Sequence, residues 1–143
     1  MEEAAKQPNV LMKTDLPLPL FIRGKVRDTY DLGNHLLIVA TDRISAFDVV
    51  LPCGIPYKGK VLNMLSNFWF RHTKEIIPNH LMEVVEEGHC LDSYIPTEKR
   101  FACPDYLAGR SVIVKKMKRI PIECVVRGYI SGSAWADNRI ILA

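Results

Sequence analysis

Three short stretches carry residues whose types and spacing could do chemistry. The first is "RGKVRDTYD", residues 23–31. Gly24 lets the backbone approach a ligand closely. Lys25 and Arg27 are two apart, so on a regular strand they project from the same face. Two cations beside a glycine suit the phosphates of a nucleotide. One glycine is neither a Walker loop nor a kinase loop, so these residues alone leave a phosphate loop and a solvated strand face both open.

The second stretch is "ATDRISAFDVV", residues 40–50. An apolar strand ends at Thr41 and Asp42, and Ser45 and Asp48 follow. Hydroxyl and carboxylate groups just past a buried strand can line a pocket. The alternative is that Asp42 or Ser45 closes a turn. The third stretch is "PIECVVRGYISGSAW", residues 121–135. On a strand, Glu123, Val125 and Arg127 share one face, and Cys124 and Val126 the other. The planar fork of Arg127 fits phosphate or carboxylate. Ser131 to Ser133 add hydroxyls and backbone N–H groups, and a helix starting there would add its dipole. All of these features favour an anion.

The elements that must position these groups follow from periodicity. A β-hairpin is expected from Phe21 to Arg43, with Gly33 and Asn34 at its turn and "HLLIVATDRI" as a buried return strand. "FDVVLP" reads as a further strand ended by Pro52, and "CGIPYKGK" as a loop. Between Lys60 and Ile77, Val61, Leu62, Leu65, Phe68, Trp69 and His72 recur at helical spacing. They are read as a core-facing stripe on a helix stopped by Pro78. "HLMEVVEE" is a short strand, and "LDSYIPTEKRFACPDYLAG" is irregular and exposed. "GRSVIVKKMKRIPIECVVRGYI" is a second β-segment interrupted by Pro121. Within it "KKMKR" forms a bend or linker, and "SGSAWADNR" reads as a cap and first helical turn.

Bulk properties bound the function. The chain has 143 residues, 48% hydrophobic and 24% charged, the composition of an ordinary globular protein. The net charge of +3 is too mild to argue for nucleic acid. No aromatic residues interleave the cations of "RGKVR" and "VKKMKR", as single-strand binding would need. No apolar run approaches the ~20 residues of a membrane helix. The acidic, polar N-terminus is no secretory signal, which argues for the cytoplasm. Cys53, Cys90, Cys103 and Cys124 form no CxxC pair, so free thiols are expected rather than a zinc site, with Cys124 a small buried hydrophobe.

"GKVRDTYD", "ATDRISAFDVV", "KGKVLN" and "IPIECVVRGYISGSAW", in this order, closely resemble the N-terminal portion of the SAICAR synthetase (phosphoribosylaminoimidazole-succinocarboxamide synthase) family. The blocks cover most of residues 20 to 137. The resemblance implies an ATP- and magnesium-dependent carbon–nitrogen ligase of purine biosynthesis. Such an enzyme joins the carboxylate of an aminoimidazole ribonucleotide (CAIR) to the amine of L-aspartate, by the usual proposal through an acyl phosphate. It implies an α+β fold: an antiparallel sheet lobe of the SAICAR synthase-like kind, related to ATP-grasp and kinase architectures. The expected division is an arm (1–15), an ATP-binding sheet lobe (16–117), and a linker with the truncated start of a second lobe (118–143).

The resemblance also implies roles for individual residues. Gly24, Lys25, Val26 and Arg27 match the loop over the ATP phosphates, and Lys118, Arg119 and Ile120 the segment beside adenine. Arg127 and Ser133 match the pair holding the substrate's phosphate, and Ser45 a further substrate contact. Glu123, Asp48 and Lys58 match positions at the reacting groups. The partners are then CAIR and L-aspartate, without nucleic acid or membrane, and self-association is a further expectation. The family's second signature, a "D-x-K-x-E" stretch with magnesium-binding acidic residues, has no counterpart here, and no metal ligand is assigned. The chain therefore reads as an N-terminal fragment, a truncated product or one with a frame-shifted end. The competing reading is a catalytically inactive, nucleotide-binding or oligomerising remnant of the same fold.

Overall fold

A computed structural model of the chain describes residues 10–86, 88–122, 126, 128–132 and 135. Its frame is a five-stranded antiparallel sheet. The strands are β1 (Leu20–Arg23), β2 (Arg27–Asp31), β3 (His35–Ala40), β6 (Leu81–Val85) and β7 (Ser111–Lys115), in the spatial order β1-β2-β3-β7-β6. β4 (Arg43–Ala46) and β5 (Val49–Gly54) form a separate two-stranded hairpin. One helix, α1 (Lys58–His72), follows that hairpin.

The expected hairpin forms as β2 and β3, paired from Arg27↔Ala40 to Asp31↔Leu36. Its turn is set by Gly33 at φ 83°, a conformation glycine adopts without steric cost. The Asp31 carboxylate accepts the Gly33 N–H at 2.8 Å and braces that turn. The first limb is not one strand. Gly24 to Val26 break it into β1 and β2, and the Gly24 N–H closes the break on the Arg27 carbonyl at 2.8 Å.

Alternation along β3 and β7 sorts the core. Leu37, Val39 and Ile113 point to one face and join Leu16, Tyr30, Val85, Leu91, Ile95 and Leu107 in one buried cluster. Ile38, Ala40 and Val112 point to the other face, toward α1. Contrary to expectation, the stretch 91–107 is not a wholly exposed loop. Its 3₁₀ turns, among them Asp105–Leu107, deliver Leu91, Ile95 and Leu107 into the core. Residues 10–16 form no strand or helix, yet Thr14 and Leu16 are buried.

Four other expectations change. Pro52 lies inside β5 rather than ending a strand, at home because a two-stranded hairpin leaves an edge free of ladder donors. The helix begins at Lys58 and ends at His72, short of Pro78, with the Thr73 hydroxyl bonded to the Trp69 carbonyl at 2.8 Å. The apolar stripe of α1 does not face the core. Val61, Leu65, Phe68 and Trp69 are exposed, and the helix instead buries Gly59, Asn63 and Asn67. Residues 116–122 form no strand. The cap expected at "SGSAWADNR", and Cys124 with it, lie largely or wholly outside the described residues. No helix among the described residues is long and apolar enough to cross a membrane.

Candidate functional site

The glycine-and-cation loop is held from below by a buried arginine. Arg43, at the start of β4, is 6% exposed. Its Nε donates to the Lys25 carbonyl at 3.0 Å, its Nη2 to the Gly24 carbonyl at 2.9 Å and its Nη1 to the Met12 carbonyl at 2.6 Å. Thr41 completes the hold, giving its backbone N–H and its hydroxyl to the Val26 carbonyl at 3.0 and 2.9 Å. The carbonyls of Gly24, Lys25 and Val26 are thus all engaged from one side. The loop has a fixed shape, and the side chains of Lys25 and Arg27 project from a rigid base.

The charge of Arg43 is answered by Asp28, which is fully buried. The Asp28 carboxylate accepts Arg43 Nη2 at 2.8 Å, Arg23 Nε at 3.1 Å, and the Thr14 N–H and hydroxyl at 2.9 and 2.7 Å. Burial pushes this carboxyl's pKa up, but the hydrogen bonds from Arg43 and Thr14 outweigh it and hold the pKa below the ordinary value. A buried pair satisfied on all sides is a stable anchor; one with a partner removed is not.

A second buried pair fixes the helix. Asp42 accepts the Gly59 N–H at 2.9 Å, the Leu11 N–H at 2.8 Å and Arg110 Nη1 at 3.1 Å. A carboxylate at the first turn of α1 satisfies an orphan donor and complements the helix dipole. Gly59 is required there, since a Cβ would stand 2.3 Å from the Ala40 carbonyl oxygen. Asp42 is therefore a structural cap and not a pocket-lining acid.

Against α1 the sheet leaves a narrow cleft of about 120 Å³. Val26, Arg27 and Thr41 line its sheet side, Lys58, Asn63, Ser66 and Asn67 its helix side, and His80 its end. Burial lowers the pKa of His80, which favours the neutral ring. A nucleotide needs several hundred Å³, so this cleft can seat only part of one. A larger cavity of about 600 Å³ lies at the far end of α1, between Phe70, Lys74, Met82 and Lys115, and none of the expected site residues line it.

The expected site residues are brought together only in part. Val26, Arg27 and Lys58 share the cleft. Gly24 and Lys25 lie on the other side of the loop, beside Met12, Arg23 and Val50. Lys25 and Arg27 therefore do not share a face, because Lys25 sits in the break between strands. Lys25 Nζ instead reaches Asp48 Oδ1 at 2.5 Å, and that contact lowers the Asp48 pKa. Asp48 and Phe47 form the tip of the β4–β5 hairpin with positive φ, 68° and 47°, where Asn-Gly is the usual pair. Ser45 lies on β4 opposite Val50.

Lys118, Arg119 and Ile120 are exposed and in no regular element. Glu123, Arg127 and Ser133 lie outside the described residues. Among the described residues no group of three His, Cys, Asp or Glu converges to hold a metal ion. Sequence reasoning missed Arg43, Asn67, His80 and Arg110. Arg43 and Arg110 left no local signal, since the carboxylates they pair with lie 15 and 68 positions away in the chain.

A sequence model described as SAICAR synthetase matches residues 20–141. Phosphoribosylaminoimidazole-succinocarboxamide synthase of Geobacter metallireducens is 54% identical over 132 residues, covering 92% of this chain and 42% of that protein. The same-named protein of Thermodesulfovibrio yellowstonii is 51% identical, covering 90% of this chain and 42% of its own. Among solved structures, the SAICAR synthase of Saccharomyces cerevisiae complexed with SAICAR superposes with a TM-score of 0.77 at 45% identity. That superposition covers 91% of this chain and 44% of the yeast chain. The chain thus spans about two-fifths of the length of the curated relatives it matches.

Proposed function

The chain belongs to the SAICAR synthetase family, and from that premise we propose that it is the ATP-binding sheet lobe of a cytoplasmic carbon–nitrogen ligase. The reaction is the joining of the CAIR carboxylate to the L-aspartate amine in purine biosynthesis. The observation that carries this reading is the loop Gly24–Arg27, braced through its carbonyls by Arg43 and Thr41. A braced loop can present cations to phosphates without ordering them at the moment of binding.

ATP, CAIR and aspartate are all anions, so the site must cancel charge among them. ATP supplies the phosphoryl group that activates the carboxylate. In this reading Gly24 to Arg27 hold its phosphates. Lys25 leaves Asp48 to do so, and Asp48 is then freed to turn toward the reacting groups with Lys58. Ser45, on the same hairpin, faces the substrate. Lys118 to Ile120 border the adenine. Glu123 stands at the reacting centre, and Arg127 with Ser133 grips the CAIR phosphate. The described residues do not offer the carboxylate set that magnesium requires, and no step is assigned to the metal.

A second reading is a nucleotide-binding or oligomerising remnant of the same fold without activity, which would bind ATP and form no product. Two measurements separate them. Calorimetric titration should detect ATP, with affinity reduced about tenfold by Lys25→Ala, the loss of one charge-assisted contact. An affinity unchanged by Lys25→Ala contradicts the proposed loop. Supplying CAIR, aspartate, magnesium and ATP to this chain joined to the remaining part of the Geobacter metallireducens relative, and looking for SAICAR by mass, then decides between ligase and remnant.

A further inference from the structure

The outward side of α1 is out of place on a finished surface. Met64, Leu65, Phe68 and Trp69 are each more than half exposed, at 62, 54, 55 and 53%. They form one contiguous face: Phe68 stacks on His72 at 5.6 Å and meets Trp69 edge-on at 5.3 Å. Contiguous apolar patches of this kind mark interaction sites. Beside them, between α1 and β6, runs a groove of about 460 Å³ lined by Met64, Asn67, Phe68 and Val84. Asn67 is 6% exposed, and its side-chain oxygen has no hydrogen-bond partner. A buried acceptor left unpaired is costly, and a backbone N–H entering the groove would satisfy it.

We infer that this face of α1, with the Asn67 groove, is the seat of the remainder of a SAICAR synthetase polypeptide. The occupant follows from length. The helix lies inside the region matched to the family, and the matched relatives have more than half of their length outside the part that this chain covers. That much chain must pack somewhere. The way out of the sheet points the same way, for Met117, Ile120 and Ile122, after β7, carry apolar side chains 69 to 73% exposed. The inference rests on family membership and not on the ligation reading, and stability tests it without reference to activity.

The test places Phe68→Asp in two settings. One is the 143-residue chain. The other is a chimera in which the remaining part of the Geobacter metallireducens relative follows this chain. Phe68→Asp should leave the unfolding midpoint of the chain within error and lower that of the chimera by about 5 °C or more. Val49→Asp, on the hairpin and 63% exposed, should show no such difference. Amide exchange across the last three turns of α1 should slow at least about 100-fold in the chimera, the protection a buried helix acquires. Equal effects of Phe68→Asp in both settings, or unchanged exchange, would overturn the inference. Sedimentation of the chain alone is a separate check. A monomer is expected, and a dimer abolished by Phe68→Asp would assign the face to a second copy and overturn it as well.

Discussion

The two faces of the sheet are built on opposite plans. On one face Leu37, Val39 and Ile113 meet Leu91, Ile95 and Leu107 in a dry cluster. On the other, α1 turns Asn63 and Asn67 inward and its Leu, Phe and Trp side chains out. The first face buries its cluster against segments of this chain. The second holds a cleft and is anchored by polar contacts: Asp42 to Gly59, and Asn63 Nδ2 to the Gly109 carbonyl at 3.1 Å. The contrast separates stability from function. The apolar face keeps the sheet folded, and the polar face keeps a loop and a helix in register around a space that a ligand can enter.

The contrast can be broken at its anchors or sharpened at its surfaces. The largest effect should come from Asp28→Asn. It leaves the buried guanidinium of Arg43 without its counter-charge, and chemical denaturation should show a loss of about 3–5 kcal/mol. Leu37→Ala, in the dry cluster, should cost about 2–5 kcal/mol, whereas Leu65→Ala, on the outward face of α1, should stay within about 0.5 kcal/mol in this chain. Equal costs at Leu37 and Leu65 would refute the two-plan description. Gly59→Ala forces a methyl onto the Ala40 carbonyl and should cost about 1–3 kcal/mol, with loss of ligand binding in the cleft as α1 is pushed away.

A smaller effect is expected with pH. The Asp28 pKa is lowered on folding, so its contribution is fully present above the unfolded value and is lost as pH falls through the folded one. A thermal midpoint level above about pH 5 and falling below about pH 4 is the expected profile. The acid-side fall should be shallower in Asp28→Asn.

Much of the sheet could be read from residues alone, because its signals are local. The Gly33 turn, the alternation in β3 and the apolar run of β7 each sit within a few residues. The helix was legible in existence but not in orientation. Periodicity reveals a stripe, and what covers the stripe depends on residues distant in sequence. The buried pairs were illegible for the same reason: Asp28 finds Arg43 fifteen positions on, and Asp42 finds Arg110 sixty-eight positions on. The irregular stretch 91–107 looked exposed because its core residues have no period. Of the candidate site, the break that forms the Gly24–Arg27 loop and the directions of its side chains were not visible in sequence. The break at Gly24 voids the strand rule that put Lys25 and Arg27 on one face.

The most direct test of the account follows backbone amide resonances as ATP is added. The account predicts the largest shifts at Gly24 to Arg27, with smaller ones at Lys58 and Ser66 along the cleft. Shifts centred instead on Phe70, Lys74 and Lys115, around the larger cavity, or no shifts at all, would contradict it.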